Sequence, residues 1–258
     1  MLLPDVDTVF SSSGPIPTLG LSTAEVAQCI EWLKGAVRQR AYDAEHEADL
    51  AAYLEADGFD GTDLQAILLA TEEPLSEKDI GEAIAEVALQ AREGAIWPTN
   101  RRRDMRSVRA SLPGADIVGF VPGLDGKYRF LLAEVKTSSD RKTPPSIMYG
   151  DKGLEYQLYA LALDTNILRR LLKYLFVRVK GTPQFELWRH ALRELAIDLE
   201  SGKKLVGVLV RDTQPAAADL SHHAELLGKK LGGKGDVSLL ALYIGIPAKD
   251  WPLHCTPY

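Results

Sequence analysis

Two short apolar runs, each carrying charge near one end, constrain the fold of this chain more than any other feature. Gly114-Ala115-Asp116-Ile117-Val118-Gly119-Phe120 has the character of a β-strand and carries one carboxylate. Phe130-Leu131-Leu132-Ala133-Glu134-Val135-Lys136-Thr137 is a second such run, joined to the first by the turn-rich connector Val121–Gly126, which suits a hairpin. Side chains alternate along a strand, so Glu134 and Lys136 share one face while Val135 points to the other. An acid and a base at the end of an apolar strand carry a desolvation cost unless something pairs with them. A divalent cation would pair with Asp116 and Glu134, and a water or phosphate with Lys136.

The rest of the chain supplies the other elements of an α/β protein. Residues 1–20 hold three prolines, two glycines and three consecutive serines and read as an irregular arm. Ser22-Thr23-Ala24-Glu25 has the form of a helix start, with a helix expected to Arg40, a second over Asp43–Ala56 and a third over Asp63–Leu69. Residues 1–75 are therefore expected as a helical region, without identifiable chemistry, ahead of a domain over 76–258. Ser76-Glu77-Lys78-Asp79 opens a helix whose apolar positions recur with helical spacing to Gly94. After the hairpin, a helix is expected from near Gly153 past Leu163, and a strand within Leu171–Lys180. A helix over Phe185–Leu199, a strand over Lys204–Arg211, a helix over Asp219–Leu231 and a strand over Val237–Ile244 complete the series. This order implies a mixed sheet with helices on its faces.

Composition excludes several classes. No stretch approaches the roughly 18 apolar residues of a membrane span, so no membrane association is expected. Cys29 and Cys255 are too few for a disulfide framework or a zinc site. The opening residues lack the basic start and apolar core of a signal peptide, and a reducing cytoplasm is the expected setting. A net charge of −6 argues against a uniformly basic nucleic-acid-coating surface. A local basic groove is still available from Arg101, Arg102, Arg103, Arg106 and Arg109, with Arg141 and Lys142 in the loop after the second strand. These side chains could track a phosphate backbone, or the cluster could pair with the acidic stretch around Asp43.

Asp116, Glu134 and Lys136, in the order helix–strand–strand–helix, resemble the PD-(D/E)XK nuclease superfamily. Glu155-Tyr156-Gln157-Leu158-Tyr159-Ala160 is similar to the glutamine motif of its RecB-like members, although Leu161 stands where those members usually carry tyrosine. A finer resemblance, on Asp79-Ile80-Gly81-Glu82 and the overall layout, is to the nuclease subunit of Hachiman-type anti-phage systems. The resemblance implies a restriction-endonuclease-like mixed sheet flanked by helices and a Mg²⁺-dependent (Mn²⁺ possible) deoxyribonuclease. It implies metal ligation by Asp116, Glu134 and the Val135 carbonyl, with Lys136 and Gln157 at the attacking water. Glu82 or Glu86 would supply the additional helix acid, and Glu82 matches the Gly-Glu pattern. DNA is the implied substrate and a helicase or translocase the implied partner. The other expectation is a non-catalytic interaction subunit that docks on such a motor through a nuclease-like fold. The sequence specifies no oligomeric state.

Overall fold

The computed structural model describes residues 4–23, 25–70, 75–104, 114–123 and 126–256. The chain begins with β1 (Val6–Ser12) and β2 (Thr18–Thr23), then α1 (Val26–Trp32), a wider π-helical turn over Leu33–Val37, α2 (Arg38–Ala41), α3 (Ala44–Ala56) and α4 (Asp63–Leu68). The central part holds α5 (Glu77–Glu93), α6 (Arg101–Asp104), β3 (Ile117–Pro122) and β4 (Tyr128–Ser138). It continues with α7 (Leu154–Leu163), α8 (Thr165–Val179), α9 (Phe185–Ile197), β5 (Lys203–Arg211), α10 (Ala218–Leu231), β6 (Asp236–Tyr243) and α11 (Trp251–Cys255).

Six strands form one mixed sheet in the order β1-β2-β6-β5-β4-β3. The outer pairs β1/β2 and β4/β3 are antiparallel, and the inner neighbours β2/β6, β6/β5 and β5/β4 are parallel. Central strands covered on both faces read as nearly continuous apolar runs. On β4, Leu131, Ala133 and Val135 enter a core shared with α5, α1 and α11, whereas Phe130 and Leu132 enter a second core shared with α7 to α10. Buried side chains of Leu, Val and Ile each contribute about 1.5–3 kcal/mol, and these two layers hold the sheet rigid under the charged end of β4.

Helix α5 follows its sequence signals closely. Ser76 and Asp79 form a reciprocal capping box, and Gly94 ends the helix in the left-handed region at φ 66°. Three expectations require correction. The irregular arm is a hairpin: the turn residues Gly14 and Pro15 fall between β1 and β2, and only Val6 and Phe10 of β1 are partly buried. That gives an exposed edge strand with little periodicity to read. Ser22 and Thr23 belong to β2, and the following helix starts at Val26 after an extended Glu25. The strand expected within Leu171–Lys180 lies in α8, where Leu168, Leu171, Leu175 and Val179 are buried at helical spacing. Its aromatic and β-branched residues suggested a strand, but the Asp164 carboxylate caps the helix through Asn166 and Ile167 N–H groups. Cys29, Leu33 and Val37 of the N-terminal region pack in one core with Ile80 and Ile84 of α5.

Candidate functional site

The charged end of β4 is built by register. The ladder that pairs Ile117 with Ala133 sets Asp116, one residue before β3, opposite Glu134. Asp116 N–H donates to the Ala133 carbonyl at 3.1 Å, and Asp116 Oδ2 accepts from Val135 N–H at 2.9 Å. The carboxylate is thus fixed by the strand that carries the other two groups. A hydrogen bond of this ionic kind is worth about 1.5–3 kcal/mol. Glu134 is 3% exposed and Lys136 9%. Lys136 Nζ lies 2.7 Å from Glu134 Oε1 and also donates to Gln157 Oε1 of α7. Helix α7 can come this close because β5 carries Gly207 beside Glu134. A Cβ at Gly207 would meet Leu158 and Leu239 at 2.6 and 2.7 Å.

The helix acid arrives from the opposite layer. Gly81 lets α5 lie directly against β4, and a Cβ there would overlap Thr137 Oγ1. The next residue, Glu82, is 4% exposed and reaches the same end of the sheet. Lys78 spans the acids, with Nζ 3.3 Å from Glu82 Oε1 and 3.8 Å from Asp116 Oδ1. Arg101 holds Glu82 Oε2 and, at 3.0 Å, Asp79 Oδ1. Burial, and secondarily the Asp116 charge, push the Glu82 carboxyl from an ordinary 4.5 up to about 7. The same two causes raise the Glu134 carboxyl, with Lys136 opposing them. Glu86 is excluded from this constellation: Arg40 grips both of its oxygens, at 2.5 and 2.8 Å. Of the two, Glu82 lies beside Asp116, with Lys78 between them, and Glu86 does not.

The basic side chains are used differently from the expectation of a free phosphate-gripping cluster. Arg101 is committed to Glu82 and Asp79, Arg103 lies 3.3 Å from Asp43, and the Arg102 guanidinium sits 4.6 Å from the Tyr42 ring centroid. Arg106 and Arg109 lie outside the described residues. Arg141 and Lys142 are exposed, on a loop anchored from within. Asp140 accepts from Lys142 N–H and from Ser146 N–H and Oγ, which holds its carboxyl down to about 2.

Sequence reasoning missed the group that anchors this loop from below. Arg211, at the end of β5, donates to the carbonyls of Asp140 and Lys142 and pairs with Asp219 Oδ2 at 2.6 Å. Tyr243 OH donates to that same oxygen at 2.8 Å. Both members of the ion pair are at most 1% exposed. The missed signal is an arginine and a tyrosine closing two otherwise apolar strands. Lys78 and Arg101 were also overlooked as partners of the acids, although Lys78 stands four residues before Glu82, a spacing that brings helix side chains together.

Glu82, Asp116 and Glu134 offer the hard oxygen donors that Mg²⁺ or Mn²⁺ take. Two of them are held in a buried setting against the Asp116 charge, and Glu82 Oε1 has only the Lys78 ammonium at 3.3 Å beside it, without a well-aligned hydrogen bond. In chemical type the set therefore fits a divalent cation. Among the described residues, no group of three or more His, Cys, Asp or Glu is arranged to hold a metal, and the chain's own ammonium and guanidinium groups neutralise the acids. No helix among the described residues is long and apolar enough to cross a membrane. No family model and no curated protein matches this sequence.

Proposed function

We propose that the chain is a metal-dependent nuclease of the PD-(D/E)XK, restriction-endonuclease-like type, hydrolysing phosphodiester bonds in DNA. The observation that carries this reading is the placement of Asp116 opposite Glu134, with Lys136 and Gln157 meeting over Glu134. The antiparallel β3/β4 pair, flanked by α5 before it and α7 after it, supports it further.

Asp116, Glu134 and the Val135 carbonyl would hold the ion, with Glu82 beside them. A magnesium or manganese ion bound there supplies Lewis-acid polarisation of a phosphate oxygen and of a water. Lys136 brings a fixed positive charge to the phosphate, and fixed charges need no reorganisation as negative charge develops. Gln157 holds the Lys136 ammonium in place from α7. The Val135 N–H holds Asp116 Oδ2, and the second oxygen, Oδ1, lies 3.8 Å from Lys78 Nζ. Substrate entry would draw on Arg141 and Lys142, whose loop is already ordered by Arg211.

The test is a cleavage assay with Mg²⁺ or Mn²⁺ on supercoiled, linear and single-stranded DNA and on RNA. The expected result is DNA cleavage by the wild type and none by Lys136→Met or Asp116→Asn, each with an unchanged circular-dichroism spectrum. A folded, metal-supplied wild type that cuts none of these substrates would overturn the proposal.

A further inference from the structure

Helices α3 and α4 carry an apolar stripe that the other described residues leave exposed. Leu64, Ile67 and Leu68 are spaced by three and four residues, which sets them on one face of α4. They are 46%, 71% and 46% exposed, and α4 buries no residue at all. Phe59, in the connection between the two helices, and Tyr53 of α3 are exposed as well. The same segment is uniformly acidic: residues 44–70 contain seven Asp and Glu and no Lys or Arg. An amphipathic helix of this kind needs an apolar groove with a basic rim.

The chain itself has such a groove. A cavity of about 340 Å³ lies where the ends of α7 and α10 meet β6. Leu163, Leu231 and Val237 give it an apolar lining, and Lys229, Lys230 and Lys234 surround it. Leu163 is 53% exposed at its lip. The three lysines pair with Glu225, Glu155 and Glu200 respectively, through lysine side chains that are about half to two-thirds exposed. The Lys229–Glu225 and Lys234–Glu200 pairs are exposed on both sides, and pairs of this type are worth about 0–1 kcal/mol, whereas Glu155 is largely buried and keeps Lys230. The stripe and the groove are both open in the same molecule, so neither covers the other within one chain.

We propose that the α3–α4 arm of one copy docks into the lysine-rimmed groove of a second copy. The apolar stripe of α4 fills the groove, and the arm's carboxylates take over the Lys229 and Lys234 ammonium groups. The contact joins two different surfaces, so it closes reciprocally as a dimer or propagates into larger species.

Sedimentation velocity across low to high micromolar protein, at low salt and without nucleic acid, tests this independently of any nuclease activity. The expected result is a concentration-dependent dimer or larger species that weakens as salt rises. Ile67→Glu places a charge on the stripe at an exposed position that the fold does not use, and weakens association at least about tenfold. Lys229→Glu combined with Lys234→Glu does the same. Adding Glu55→Lys and Asp57→Lys to that double variant restores association by reversing both charges. A monomer at every concentration overturns the proposal, including one that binds some other protein. So does self-association indifferent to Ile67→Glu in a variant whose circular dichroism is unchanged.

Discussion

Replacing Glu82 by glutamine should stabilise this protein near neutral pH. The carboxylate is 4% exposed, and its surroundings favour the proton: burial and the Asp116 charge outweigh the attraction of Arg101 and Lys78. Folding raises its pKa from an ordinary 4.5 to about 7. Between those two values the unfolded chain has released the proton while the folded chain keeps it, so stability falls as pH rises through this window. Above about pH 7 the loss is complete and amounts to at most about 3 kcal/mol. Glutamine cannot ionise and removes the penalty. It also weakens the contact with Arg101, which retains Asp79 at 3.0 Å, so a net gain of about 1–2 kcal/mol is expected at about pH 8. Urea denaturation of both proteins in EDTA, from about pH 4.5 to 8, measures it. The two curves should converge at the acid end and separate as pH rises, with Glu82→Gln the more stable. A less stable variant at about pH 8, or a gap that does not change with pH, would refute the electrostatic account of this corner.

Gly81→Ala should destabilise by about 1–3 kcal/mol, because the new Cβ overlaps Thr137 Oγ1 and α5 must lift from β4. Thr137→Ala in the same chain should recover part of that loss, and a double-mutant cycle from urea titrations reads the coupling. Arg211→Met leaves Asp219 as a buried charge with Tyr243, among the described residues, as its remaining side-chain hydrogen-bond donor, and should cost about 3–5 kcal/mol. Tyr243→Phe should cost about 1 kcal/mol. In both, trypsin should cut after Arg141 and Lys142 faster than in the wild type, since Arg211 fastens the carbonyls of that loop.

The parts of the fold legible in the sequence are those where one physical signal dominates. The α5 boundaries follow from Ser76, Asp79 and Gly94, and the β3/β4 hairpin from two apolar runs separated by turn residues. Strands β5 and β6 were legible for the same reason, being covered on both faces. Reading failed where signals were weak or opposed. Strand β1 buries only parts of Val6 and Phe10, so neither alternation nor apolar content marks it. In α8 the local preference of Tyr174, Phe176, Val177 and Val179 for strands opposed a helical stripe of leucines, and packing on the sheet decided the outcome.

The candidate site shows the same division between what is local and what is not. Glu134 and Lys136 share a face because a strand alternates, and the hairpin register then brings Asp116 opposite Glu134, so three of the expected residues follow from one element pair. Gln157 and Glu82 depend instead on how closely two helices approach the sheet from opposite layers. That closeness is set by single glycines, Gly207 under α7 and Gly81 in α5 against β4. A glycine in a sequence does not say which neighbour its missing Cβ admits, so these distances could not be read in advance. Lys78 and Arg101 extend the point. The acids are too buried to stand alone, and the fold satisfies them with cations of its own. A dication would have to displace or share those contacts. On the proposed reading, any affinity of this corner for a dication would therefore rest on the balance among Lys78, Arg101 and the three carboxylates, as much as on the carboxylates themselves.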